Sequence, residues 1–444
     1  MSAEAPPTEE AARSPEAVRV AVPRPAAESG PLRRRDITRT ADYRQTSNAS
    51  AVLQAVLDHG PVARSTIARL AGLSPAAVTR LAGDLVAAGL LRESAQPAAL
   101  KGAGRPHVPV DIDVTRRVAL GLHIALNHAT LALLDLRGRV LAEELITHPG
   151  SGSRAGSRAG AGIDPHHVLE RIAARVPGFL GAHADGRRPV GLGVATGGWV
   201  DRADGVVVEH ALLGWQGVPV RQLLAEATGL PVRVDNHARA LVRAEQLFGD
   251  PRARASVVHL FVGNMIDAAF ATGGQIHHGP QSAAGSVAHL PVDGREEPCA
   301  CGRRGCLQAV VSSPALARRA VAEGITEDAV FAPVLAAARN GDRRAVALFE
   351  ERAQLLGSAA ATLLDVLNPD LLVITEQGTR HVSGCLEILR AEVGERSRLL
   401  ADPGRTVVPA SFGSQSLQVA AGTVILGALY ADPLRRRPRV PAAS

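Results

Sequence analysis

Cys299-Ala300-Cys301-Gly302-Arg303-Arg304-Gly305-Cys306 packs three thiols into eight residues, and His289 lies ten positions before the first of them. Two glycines stand where a loop wrapped around a metal needs positive φ or close backbone approach. Three thiolates and one imidazole complete a tetrahedral zinc shell with no position left for a substrate, so the metal expected at His289, Cys299, Cys301 and Cys306 is structural. The plainer alternative is three unrelated free thiols. Disulfide pairing is the weaker reading, because Cys385 would be left over and no secretory signal is recognisable. A cytoplasmic protein is expected.

A length of 444 residues exceeds one domain and suggests two or three. No apolar run approaches the ~20 residues of a membrane span, so no membrane partner is expected. The formal charge of +6 is unevenly placed: residues 1–30 carry −2, residues 31–110 carry +6 and residues 111–444 carry +2. Excess positive charge gathered in one segment is an electrostatic footprint for nucleic acid, although solubility alone would also account for it.

Residues 1–41, rich in Ala, Pro, Glu and Arg without periodicity, read as a disordered arm. Three helical patterns follow. Ser47 to His59 aligns Val52, Leu53, Val56 and Leu57; a short helix from Ser65 to Leu70 comes next; and a third begins at the N-cap Ser74 with Pro75 in its first turn. A short Gly-containing turn between the second and third is the geometry of a helix-turn-helix, whose second helix enters the DNA major groove. Leu90–Glu93 and His107–Val110 read as two strands flanking a wing, Gly102-Ala103-Gly104-Arg105-Pro106. Residues 42–112 are therefore expected to form a winged helix-turn-helix, with an ordinary three-helix interaction module as the alternative. Ser74, Thr79 and Arg80 would face bases or phosphates, Arg64 the phosphate backbone or solvent, and Arg105 a minor groove.

From Arg117 the pattern changes to α/β, with strands at Val118–Ile124, Ala129–Leu134, Val140–Leu145, Val190–Ala195, Val257–Val262 and Leu371–Thr375. Helices are expected at Pro314–Glu323 and Arg343–Leu367. A Gly-Ser-Arg-Ala repeat marks a flexible insertion at about 151–163, and residues 436–444 form a basic tail. Two α/β lobes suit a segment of this length.

Residues 42–435 resemble the ROK family (repressor, open reading frame, kinase). The motifs that carry the resemblance are Leu134-Asp135-Leu136-Arg137-Gly138-Arg139-Val140, Gly198-Trp199-Val200-Asp201, Leu213-Gly214-Trp215, and Val234-Asp235-Asn236-His237-Ala238-Arg239-Ala240 with Glu245. The cysteine motif and Leu367-Asn368-Pro369 complete the set. With a winged helix in front, the chain looks like the regulator branch. The resemblance implies a two-lobed actin-like, sugar-kinase-type ATPase fold over 117–435. It also implies a sugar effector in the cleft, zinc shaping that site, and a homodimer or homotetramer on a pseudo-palindromic double-stranded operator.

Departures from the family pattern separate regulator from kinase. Kinase members carry an Asp-x-Gly-Gly-Thr loop for ATP phosphates, where this chain has His123-Ile124-Ala125-Leu126-Asn127. The kinase base, the Asp of an Asn-Asp pair, is replaced by His237, so no catalytic residue is expected. The sugar-binding positions read Asn236, His237, Ser286, His289 and Gln308, three of them having lost a carboxylate. Two readings follow: an effector that is anionic or differently shaped, such as a sugar phosphate or acid, or a decayed pocket with no effector. The function expected is a repressor without chemistry. A sugar kinase with an appended DNA-binding domain and an effector-independent repressor are the alternatives.

Overall fold

The structure, a computed structural model, describes residues 37–94, 108–148, 163–400 and 402–435, with side chains from Asn48 onward. Residues 1–36 of the expected arm, the wing loop with Arg105, residues 151–162 of the expected insertion and the basic tail lie outside the described residues, while residues 37–41 of the expected disordered arm are helical. The chain divides into two compact units, residues 1–44 and 45–444, and the following concerns the second.

Three helices, α1 (Ile37–His59), α2 (Arg64–Ala71) and α3 (Pro75–Ala87), precede a hairpin of β1 (Leu91–Glu93) and β2 (Val110–Ile112). α1 starts ten residues before the expected Ser47, since no Pro or Gly in 37–46 interrupts it. Ser74 caps α3 by accepting from Ala77 N–H at 3.2 Å. Val78, Leu81, Ala82 and Leu85, spaced three and four apart, are fully buried against α1 and α2 residues such as Val52, Val56 and Ile67. Each such Val, Leu or Ile side chain contributes roughly 1.5–3 kcal/mol. The second hairpin strand lies at 110–112 rather than 107–110. Pro109 has no N–H to give a ladder, so regular pairing begins after it, Glu93 against Val110 and Leu91 against Ile112.

The first lobe contains β3 (Arg117–Ile124), β4 (His128–Leu134), β5 (Val140–Thr147), α4 (Pro165–His183), β6 (Arg188–Thr196), β7 (Trp199–Asp201), β8 (Val206–His210), β9 (Trp215–Val218), α5 (Val220–Thr228), β10 (Val232–Asn236) and α6 (His237–Phe248). The second contains β11 (Ser256–Val262), β12 (Ile266–Thr272), β13 (Gln275–Ile276), α7 (Leu307–Val311), α8 (Ser313–Ala322), α9 (Phe331–Arg339), α10 (Arg343–Leu367), β14 (Leu371–Glu376), α11 (Gln377–His381), α12 (Cys385–Arg396), α13 (Pro403–Thr406) and β15 (Val407–Pro409). The chain closes with α14 (Ser416–Ala431).

The two five-stranded sheets repeat one topology. In the first the order is β10-β6-β3-β4-β5, in the second β15-β14-β11-β12-β13. In each, a meander of three antiparallel strands is extended by two parallel strands on the side of its first strand. Parallel additions require crossover segments, here carrying helices that cover the sheet and leave its central strands mostly apolar, with buried His123 in β3 and His259 in β11 as exceptions. α6 carries Ala238 and Val242 into a core with Val257, Ala269 and Leu371 of the second lobe, while α14 lies on β3, β6 and α6. The far end of α14 completes the core of the winged helix: Ile425, Leu426, Leu429 and Tyr430 pack with Leu53, Leu90 and Ile112.

Candidate effector cleft, metal centre and DNA-binding surface

In the cysteine loop, Gly302 (φ +84°) and Gly305 (φ +64°) hold the left-handed conformations their type permits. Cys299 N–H donates to Arg303 O at 2.9 Å and Gly302 N–H to Cys299 O at 3.0 Å, closing a tight turn. Leu307 N–H bonds Leu290 O and Gln308 N–H bonds Ala288 O, both at 2.8 Å, so the segment bearing His289 is clamped against the start of α7. One ligand atom from each of His289, Cys299, Cys301 and Cys306 falls within 4.8 Å of the others. Cys301 Sγ lies 3.7 Å from Cys306 Sγ, and Cys299 Sγ lies 3.6 Å from His289 Nδ1. Tetrahedral bonds of about 2.3 Å to sulfur and 2.0–2.1 Å to nitrogen give edges of about 3.6–3.8 Å. The donor set and its spacing therefore fit a four-coordinate metal, toward which His289 would offer Nδ1, the nitrogen near Cys299 Sγ. The fourth thiol, Cys385, is buried in the second lobe.

His289 also lines a cavity of about 290 Å³ together with Asn236, Ser286, Trp199, Glu209 and Asp267. Asn236 is the N-cap of α6: its Oδ1 accepts from Ala238 N–H at 2.8 Å and its Nδ2 donates to Gly198 O at 2.9 Å. Gln308 does not line this cavity. Its Oε1 accepts from Ile266 N–H at 2.9 Å and its Nε2 donates to Asn264 O at 2.7 Å, so it braces the β11–β12 turn. Arg239, a cation on the cavity wall, is committed to Asp235 Oδ1, Ser282 O and Val200 O at 2.6–2.9 Å.

Sequence reading missed Asp267 and Glu209. Asp267 accepts a 2.8 Å hydrogen bond from His237 Nε2, and a lone carboxylate in the apolar run Ile266-Asp267-Ala268-Ala269-Phe270 was the available signal. The cavity thus regains carboxylates from strands outside the expected motifs, and no arginine or lysine among its described lining residues is left uncommitted. That arrangement suits hydroxyl groups and disfavours the anionic effector expected from the sequence. Trp199 lines the cavity and donates its indole N–H to Gln281 O at 2.8 Å. Trp215 is the buried one, bonded to Ile163 O.

His237 faces a neighbouring cavity of about 400 Å³ with His123, His128 and His210. The replaced phosphate loop is a closed turn here: Ala125 N–H donates to His128 O at 2.9 Å, and His148 Nε2 lies 3.0 Å from Ala125 O. Leu126 lines the space. An amide already used inside a turn cannot cradle a phosphate. Burial, reinforced by the neighbouring histidines, pushes His123 well below the usual imidazole range, and burial beside His237 pushes His210 down to about 4.

On the winged helix, Thr79 and Arg80 are exposed on α3 with Ser74 at its start. Arg80 lies 3.6 Å from Asp84, one turn on. Arg64 is turned elsewhere: it donates to Glu93 Oε1 at 2.7 Å and Val108 O at 3.2 Å, tying α2 to the hairpin.

Residues 120–426 match the model of the ROK family. The chain belongs to the ROK family. A transcriptional regulator of Mycobacterium tuberculosis is 35% identical over 402 residues, 87% of each chain. The xylose repressor of Caldicellulosiruptor bescii is 25% identical over 365 residues, 79% of this chain and 88% of the relative. The crystal structure of a ROK transcriptional regulator, a homolog of Escherichia coli Mlc, superposes with a TM-score of 0.73 at 24% identity, covering 88% and 98% of the two chains. The two repeated sheets are the two lobes of the actin-like, sugar-kinase-type ROK fold. No described helix is long and apolar enough to cross a membrane.

Proposed function

We propose that this ROK protein is a DNA-binding transcriptional repressor whose operator affinity is set by a sugar or sugar derivative bound in the Asn236–His289 cavity. The observation that carries this reading is the shared core: α14 reaches from the cleft, where Leu417 and Gln418 line the histidine cavity, to Leu426, Leu429 and Tyr430 under the winged helix. A ligand that favours one lobe arrangement changes the platform on which the recognition helix stands. The relatives named as regulators, one of them a xylose repressor, support it.

Zinc at His289, Cys299, Cys301 and Cys306 would fix the loop that presents His289 to the cavity. Metal on Nδ1 leaves Nε2 to donate to a ligand hydroxyl. Ser74, Thr79 and Arg80 would meet the major groove, in a homodimer or homotetramer reading half-sites about 10 base pairs or a multiple apart. The kinase reading is disfavoured by the closed turn at Ala125–His128 and by His237 at the base position. Selection of bound fragments from genomic DNA at a stated near-physiological salt tests the proposal. A palindromic site enriched over background, released by a sugar, is the expected result. Sugar-dependent ATP turnover without such enrichment would overturn it.

A further inference from the structure

The histidine cavity has a composition that neither phosphate binding nor simple core packing explains. Among its described lining residues there is no Asp, Glu, Lys or Arg. Leu126, Phe261, Met265 and Leu417 supply apolar wall, and four imidazoles join uncharged hydroxyl and amide side chains in supplying the polar atoms. Two of these imidazoles, on His123 and His237, are 6% and 4% exposed, and each has a buried nitrogen without a partner, His123 Nε2 and His237 Nδ1. Buried polar atoms left unmatched are costly, and both rings line this cavity, so they mark a place where another molecule completes the bonding.

The proton positions follow from the neighbours. His237 Nε2 faces the Asp267 carboxylate and carries a proton, so in the neutral ring Nδ1 is an acceptor. His210 Nδ1 accepts from Leu213 N–H at 3.2 Å, so its Nε2 carries the proton and donates. An acceptor and a donor on one wall match a hydroxyl group. The depressed values of His123, His128 and His210 keep these rings neutral at neutral pH, so they offer no counter-charge to a phosphate.

This cavity adjoins the Asn236–His289 cavity. Met265 lines both, the adjacent Gly197 and Gly198 line one each, and the His237–Asp267 bond spans the boundary. A Cβ on Gly197 would sit 2.8 Å from Met265 Sδ and 3.2 Å from His237 Cε1, so the absence of a side chain lets Met265 and His237 close on the backbone where the two cavities meet.

We infer that the histidine cavity is a second ligand subsite, taking the uncharged, largely apolar aglycone of a glycoside whose sugar occupies the Asn236–His289 cavity. The inference rests on the effector reading given above for the sugar. The effector is then a glycoside rather than a free monosaccharide or a sugar phosphate.

Calorimetric titration of the full-length, zinc-loaded protein tests this with xylose, glucose and N-acetylglucosamine, their phosphates, their benzyl glycosides, and benzyl alcohol. The expected result is a benzyl glycoside binding about ten-fold or more tightly than its parent sugar, with phosphates no tighter than the sugars. Gly197→Val should abolish the benzyl preference. If that variant fails to fold, Leu126→Asp, at a half-buried turn, serves instead by placing charge in the subsite. Free sugars binding as tightly as their benzyl glycosides would overturn the subsite and leave the sugar effector standing. Phosphates binding tightest would overturn it as well. Benzyl alcohol binding in the absence of any sugar or glycoside binding, and lost in His123→Phe, would retain an apolar subsite and overturn its assignment to a glycoside. No binding by any probe would overturn both readings.

Discussion

Asp58, near the end of α1, and Arg254, between α6 and β11, form a two-pronged ion pair, with both guanidinium nitrogens 2.7 Å from a carboxylate oxygen. Arg137 reinforces the same seam by bonding Leu57 O and Asp111. The winged helix is thereby fixed to the effector lobes by charge as well as by the apolar core at α14. Arg254 is 40% exposed and Asp58 15%, so solvent screens the pair. Arg254→Ala is expected to cost about 1 kcal/mol in denaturant unfolding. Its larger effect should be on coupling: the effector-induced fall in operator affinity should shrink, measured by fluorescence anisotropy with and without ligand.

Arg80 projects from α3, where exposed Asp84 is a screened partner 3.6 Å away. Arg80→Ala is expected to weaken operator binding by about 1–3 kcal/mol if it reads a base. A phosphate contact would instead lower the salt slope by about one. Titrations at several salt concentrations separate these outcomes. Arg64→Ala should act through the hairpin, lowering thermal stability more than it alters the salt slope.

Cys301→Ser should reduce bound metal below one equivalent per chain, read by atomic emission. Three ligands then remain, and hydrogen exchange in residues 285–306 should rise while α10 and β14 stay protected. Effector affinity should fall with the metal, because His289 is no longer held toward the cavity.

Acid should destabilise the protein in a defined window. His210 is held down to about 4 and His259, buried in β11 against Thr375, down to about 3. In the unfolded chain both return to an ordinary value near 6.5, so between about pH 6.5 and 4 the unfolded state binds more protons than the native one. Stability therefore falls as pH drops through that window and is flat above about pH 7. Unfolding curves between pH 4 and 8 should show this slope, on the order of a few kcal/mol in total. His210→Asn should reduce it.

Much of this protein is legible in its sequence because the deciding signals are local. The cysteine spacing places a metal loop, Ser74-Pro75 starts a helix, and Asp342 to Asn368 bounds a 25-residue helix at its cap residues. The loss of the phosphate loop is likewise visible as residue types at consecutive positions. The same sequence left open which residues line the cleft, since that depends on contacts between strands far apart in the chain. Asp267 meets His237 across 30 residues, Glu209 enters from the three-stranded sheet, and Gln308 is drawn away to a turn 44 residues earlier. Arg64, which looks like a phosphate contact, is claimed by Glu93. Local propensity and spacing fix where elements begin and which metal-ligating side chains fall together. The direction of a polar side chain is decided by whichever buried donor or acceptor most needs a partner, and only the folded chain brings that partner within reach.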